Sequence, residues 1–199
     1  MSAYDFFDYR QRNEVFESVG TIATSGANVT ITGGDEPEQV RSVLVSWDLF
    51  PTLGIPVATG RHFARAEEEP GGPNVVILSG GYWLRRFGGS PDVVGNTMVV
   101  DGAAQMIVGV MPPDFRFIHD VDLWIPMRRD GPKAKSRGWH NWFMVGRLRS
   151  GVTLEIAQAD VDVISAQLAA EYPDTNRDKT LHLTELHAAF AEDYQTAVI

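Results

Sequence analysis

The chain has 199 residues, 44% of them hydrophobic, with ten Phe and five Trp, which is the material for a packed core of one large or two small domains. Its formal charge of −9 argues against a nucleic-acid partner, which rewards a basic face through phosphate contacts, and against docking on anionic lipid. The absence of cysteine excludes disulfides and thiolate metal sites, and no apolar run approaches the roughly 20 residues of a membrane span.

Ser2 is placed to cap a helix running to about Glu17, with Phe6, Tyr9 and Phe16 along one side. Residues 20–25, 27–32 and 39–46 carry β-branched residues in alternation and read as strands, with Gly33-Gly34-Asp35 turning the chain. Residues 48–54 suit a single helical turn near Pro51. Residues 67–73, three glutamates followed by Pro and Gly, predict an exposed loop with solvated carboxylates. The run Val75–Leu78 is too short for a helix and suits a buried strand; Ser79 then caps a short helix to Phe87, which Gly88-Gly89-Ser90-Pro91 ends. Asp101-Gly102 between two apolar runs is a hairpin signal, and Pro112-Pro113 stops the second strand.

Further on, residues 128–139 read as a basic loop and 142–148 as a strand. Thr153 caps the longest helix, ending near Tyr172-Pro173, with Ala157, Val161, Ile164, Leu168 and Tyr172 on one buried face. Alternation of Leu181 and Leu183 with polar residues predicts a last strand over 179–185, and the pattern fades beyond Phe190. Helix and strands at both ends around a strand-rich middle give an α+β fold in two subdomains: a discontinuous one (1–45 and 142–199) and an inserted one (46–141).

Few groups invite chemistry. Leu78-Ser79-Gly80-Gly81 resembles the signature sequence of ABC ATPases, but no phosphate-binding loop with lysine exists in the chain, so a strand-to-helix turn is the reading. Ser79 sits where a hydrolase nucleophile would, yet lacks the Gly-x-Ser-x-Gly elbow. His119, Asp120 and Asp122 offer metal-ligand types, but extended backbone puts His119 on the face opposite the carboxylates, and Asp122 reads better as a turn or edge anchor. His62, His140, His182 and His187 have no metal-ligand spacing. Phe115, Phe117, Trp124, Trp139 and Trp142 offer either a ligand platform or core packing, with core the plainer reading. The basic 128–137 stretch beside them is the place for a partner contact, and Asn28-Val29-Thr30 is a formal glycosylation sequon. No catalytic, cofactor-binding or metal residue is assigned, and no cofactor is expected.

The ordered strings from Val75-Val-Ile-Leu-Ser-Gly-Gly-Tyr-Trp-Leu-Arg-Arg-Phe-Gly-Gly89, through Val93-Val-Gly-Asn-Thr-Met-Val-Val-Asp-Gly102 and Met106-Ile-Val-Gly-Val-Met-Pro-Pro-Asp-Phe115, to Asp122-Leu-Trp-Ile-Pro-Met127 carry a family resemblance. With Gly60-Arg61-His62-Phe63 before them and Arg147-Leu-Arg-Ser-Gly-Val152 after, they resemble the MacB-like periplasmic core domain of ABC-type permeases, in the duplicated form abundant in Acidobacteria. The resemblance, from about residue 2 to 186, implies a porter-like outer subdomain with a sabre-like insert, placed outside the membrane between the first and second transmembrane helices. It implies a non-catalytic module that passes on ATP-driven movement, known as mechanotransmission and used for efflux among other tasks. The implied partners are the transmembrane helices of the same permease, a second permease copy, a cytoplasmic ABC ATPase acting indirectly, and a periplasmic adaptor or substrate. The start at Met1-Ser-Ala-Tyr-Asp5 shows no signal peptide, so the expectation is a periplasmic domain cut from an inner-membrane protein. The competing readings are a periplasmic ligand-binding module using exposed aromatics and a hydrolase of unrecognised type.

Overall fold

The structure is a computed structural model that describes residues 1–34, 36–118, 120–131 and 136–187. Helix α1 (Ala3–Arg12) opens on a capping box: the Asp5 N–H donates to Ser2 Oγ at 3.1 Å and the Ser2 N–H to the Asp5 carboxylate at 3.0 Å. It stops at Asn13 rather than Glu17. The Asn13 amide donates to the Tyr9 carbonyl while its Oδ1 accepts the Phe16 N–H, so the side chain both closes the helix and starts strand β1 (Phe16–Ala23). Phe16, expected on the helix, is buried on that strand instead.

Strands β2 (Ala27–Thr32) and β3 (Glu38–Val45) follow, then the short helix α2 (Leu49–Leu53) and β4 (Thr59–Gly60). Next come β5 (Val75–Leu78), α3 (Gly80–Phe87), β6 (Thr97–Val100), β7 (Ala103–Val110) and β8 (Leu123–Pro126). The expected hairpin is β6–β7, with Val100 opposite Ala103 and both Asp101 (φ 47°) and Gly102 (φ 78°) left-handed, as its two-residue turn requires. After β8 come β9 (Trp142–Leu148), α4 (Leu154–Glu171) and α5 (Pro173–Asn176).

One mixed sheet joins these strands in the order β2-β6-β7-β5-β8-β3-β1-β9, and β2 also pairs with β3. The six strands from β2 to β3 therefore close into a barrel-like ring, from which β1 and β9 extend as a flap. Pairings β3–β8 and β5–β7 are parallel; the remainder are antiparallel. Strand β8 lies inside the sheet between β3 and β5, and Asp122, read as a turn or edge anchor, sits in the bend just before it and accepts the Arg41 N–H. Strands β2 and β3 both belong to the first 45 residues, yet they pair with β6 and β8 of the central segment.

The period of two sorts side chains into two cores. On β5, Val76 and Leu78 join Ile31, Tyr82, Ile107 and Leu123 inside the ring, whereas Val75 and Ile77 face the helices. That second core holds Phe6 and Tyr9 of α1, Phe50 of α2, Trp124 of β8 and the expected face of α4. Residues 179–185 form no strand. Leu181 and Leu183 pack on the core, but their backbone partner is a side chain: Gln158 donates to the Leu181 carbonyl at 2.9 Å and accepts from the Leu183 N–H at 2.8 Å. A single amide satisfies one pair of groups and cannot extend a ladder. The stretch beyond Phe190 lies outside the described residues, as does Asp35 of the expected turn.

Candidate functional site

The strand-to-helix turn singled out in the sequence sits between β5 and α3. Ser79 Oγ accepts the Tyr82 N–H at 3.1 Å, so the hydroxyl is an N-cap. Gly80 is required by packing, since a Cβ there would lie 2.4 Å from the Cα of Pro113. The turn opens on a cleft of about 210 Å³ lined by Ser79, Arg85, Phe115, Arg116, Asp122 and Trp124, among others. The carboxylate nearest in role to a base is Asp122, and it is committed. Its oxygens accept from Arg85 Nη2 at 2.8 Å and from the Arg41 N–H at 3.0 Å. Tyr82 donates to Glu38 at 3.2 Å, and burial pushes its phenol pKa up, which keeps it protonated.

His119 lies outside the described residues. Asp120 is solvent-exposed with Arg116 at 3.9 Å, while Asp122 is tied to Arg85, so the two carboxylates serve different arginines. Among the described residues no three His, Asp or Glu side chains converge as a metal site would. His62 donates through Nε2 to the Ile55 carbonyl (2.9 Å) and stacks on Phe50; burial lowers the His140 pKa beside Asp5.

The acidic run overturns its expectation. Glu67 and Glu68 are 2% and 1% exposed, not solvated. Arg61 Nη2 donates to Glu67 at 2.6 Å, and the Ala64 N–H adds a bond of 2.7 Å. Glu68 accepts from Arg10 at 3.0 and 3.3 Å and from the Trp47 N–H at 3.3 Å, with Arg129 at 3.9 Å. Asp48 completes the cluster through Arg10 (3.1 Å) and Ser46 (2.6 Å), and burial raises its pKa more than these partners lower it. Arginines from α1 and from the loop after β8 make burial of these carboxylates tolerable.

The basic loop behaves alike where it is described. Arg128 donates to the Gly72 carbonyl, Arg129 lies 4.3 Å over the Phe7 ring, and Arg137 pairs with Asp8 (2.7 Å) while lying 3.6 Å over Tyr172. These guanidinium groups are engaged by the chain itself. Trp124, Trp142 and Phe117 are buried, and Trp124 packs edge-on against Phe50 at 5.3 Å; of the candidate aromatics Trp139, half exposed, still faces solvent. A second, largely apolar hollow of about 350 Å³ opens beside Val29, Val43, Ile125 and Trp142.

A barrel-like ring of mixed strands packs against α1, α2 and α4, and the polar groups described above are engaged in holding that frame together. The sequence profile of the MacB-like periplasmic core domain matches residues 2–164, and the chain belongs to that family. It is therefore a periplasmic or extracellular domain of a MacB-like ABC transporter permease, a family whose periplasmic domains are typically non-catalytic. Membership implies membrane-spanning and ATPase partners in general terms. Its fold is similar to that of the periplasmic region of MacB from Actinobacillus actinomycetemcomitans, with a TM-score of 0.66 at 11% identity over 100% of this chain and 84% of that one. The extracellular domain of the noncanonic ABC-type transporter YknZ from Gram-positive bacteria gives 0.57 at 13% identity over 87% and 84%. A domain of a putative permease from Porphyromonas gingivalis gives 0.58 at 14% over 92% and 83%. No curated protein matches the sequence. Among the described residues no helix is long and apolar enough to cross a membrane.

Proposed function

We propose that this domain is a non-catalytic mechanical element of a duplicated permease of the acidobacterial type, passing ATP-driven movement to a periplasmic adaptor or substrate. It works as two bodies: a porter-like one built from residues 1–45 and 142–199 and a sabre-like one from 46–141. The transmembrane helices of the same permease carry it, a second permease copy faces it, and a cytoplasmic ABC ATPase drives it from a distance.

The observation that supports a force-transmitting role best is close packing: two filled cores lie on opposite faces of shared strands, as on β5, and each draws on both stretches, so the seam between the proposed bodies runs through the ring itself. Close-packed cores transmit displacement instead of absorbing it, and the strand between two such cores is where a small rotation can be accommodated. The helices leading toward the flanking segments are also locked together. Tyr9 and Ser165 share a hydrogen bond of 2.7 Å, Arg12 grips Glu171 at 2.7 and 2.8 Å, and Asn176 donates to Asp5 at 2.9 Å. These bonds tie α1 to α4 and α5 on one side of the body. These 199 residues contain no cysteine, so once any cysteines elsewhere in the permease and its ATPase are replaced, spin labels at Gln167→Cys on α4 and Asp92→Cys beyond α3 report on the two bodies. Within one copy of the assembled permease, their distance is expected to change when ATP is added; an unchanged, narrow distribution counts against the division into two bodies. The ligand-binding alternative has the apolar hollow at Trp142 in its favour, and a saturable change in tryptophan emission with an apolar ligand would support it.

A further inference from the structure

Helix α4 carries a second apolar stripe on the side away from its core. Ala157, Val161, Ile164 and Leu168 are buried. Opposite them, Ile156, Ala159, Val163, Ala166 and Ala170 recur at spacings of three and four and are all exposed, Ile156 at 52% and Val163 at 58%. At 3.6 residues per turn this stripe spans about 80° of the circumference and runs about 21 Å along the axis. β-Branched residues alternate with alanine in it, the pattern of a coiled-coil seam in which small side chains let a second helix approach closely. A helix apolar on two sides ordinarily has a neighbour on each.

The borders of the stripe say what that neighbour is. Exposed Glu155 and Asp162 line one side, Asp160 on the other side is turned in part toward the Glu14 backbone, and α4 contains no lysine or arginine. A second copy packed α4 against α4 would set acidic borders against acidic borders, and an anionic lipid surface would repel them too. We propose that the outward face of α4 is a docking surface for an amphipathic helix of another protein, one whose apolar seam is bordered by lysine or arginine. The surface is argued from α4 alone and stands whether or not the domain moves as two bodies.

The test uses the 199-residue chain and two fluorescein-labelled helical peptides with the same Ile/Ala seam, one bordered by Lys and one by Glu. Fluorescence anisotropy should show the Lys-bordered peptide binding about tenfold more tightly, the sum of a few border pairs worth some tenths of a kcal/mol each. Added salt should erase most of that preference. Ile156→Ser with Val163→Ser should abolish binding of both peptides without altering the circular dichroism, because both side chains are exposed. Glu155→Lys with Asp162→Lys, both exposed, should invert the preference. Failure of the Lys-bordered peptide to bind, equal affinity for both peptides, or no inversion overturns the proposal. So does a concentration-dependent dimer that the serine variant dissolves, which would assign the face to a second copy. Adsorption to phosphatidylglycerol vesicles that the same variant removes would assign it to the membrane and equally overturn the proposal.

Discussion

Glu68→Ala is expected to destabilise the chain by about 3–4 kcal/mol. The carboxylate is 1% exposed and accepts from Arg10 at 3.0 and 3.3 Å and from the Trp47 N–H at 3.3 Å. Breaking a buried pair by removing one partner costs about 3–5 kcal/mol, because the other charge stays behind without compensation. Arg10 retains Asp48 at 3.1 Å, which puts the loss at the lower end, and the orphaned Trp47 N–H adds about 1 kcal/mol. For a chain of this size that is a fall in Tm of about 6–16 °C. Urea unfolding followed by tryptophan emission measures it, with an unchanged m value showing that the transition is the same one. Glu69→Ala is the control: its side chain is 40% exposed and meets Arg65 and Arg129 only at 3.7 and 3.9 Å, so the change should stay within about 0.5 kcal/mol. Equal midpoints for the two variants would refute the reasoning that the buried cluster holds the loop to the core.

Two further outcomes follow from the same geometry. Burial raises the Asp48 pKa above its ordinary value, so the native chain takes up this proton at a pH where the unfolded chain does not. Native stability relative to Asp48→Asn must therefore rise as pH falls through the window between the raised value and the ordinary carboxylate one; urea midpoints at about pH 7 and about pH 5 check this, and a native chain that loses stability relative to Asp48→Asn on acidification contradicts it. Gln158→Ala removes the side chain bonded to both the Leu181 carbonyl and the Leu183 N–H, and a net hydrogen bond of about 1 kcal/mol corresponds to roughly five- to tenfold faster amide exchange at Leu183. Exchange at Leu183 that stays at its original rate would mean that something other than Gln158 holds the segment.

Elements whose signals are local were legible in the sequence almost to the residue. Ser79 and Thr153 cap the helices they were expected to cap, Asp101-Gly102 makes the hairpin turn, and the α4 core face is the expected one. Family membership was legible too, from short motifs in fixed order, as the match over 2–164 shows. What failed depended on partners distant in the chain. Nothing near residues 67–68 announces that Arg61, Arg10 and the Trp47 N–H converge on them. The Phe6-Tyr9-Phe16 spacing fits a helix as well as a helix followed by a strand, and the choice falls to the Asn13 side chain. Alternation at 179–185 reports a two-sided environment, which one glutamine and the core supply without a ladder. The outward stripe of α4 was in plain view at the same spacing as the buried one; only the exposure of Ile156 and Val163 tells which of the two lacks a cover.

The proposed movement is tested most directly in the complete permease, assembled with its ATPase in lipid and labelled at Asp92→Cys in each proposed copy. The absence of native cysteine in this domain leaves that label as its sole reporter. Double electron–electron resonance should give one distance distribution without nucleotide and another, displaced by several ångström, with ATP trapped. Distributions that superimpose in the two states would mean that ATP does not move this domain, and the mechanical account would be wrong.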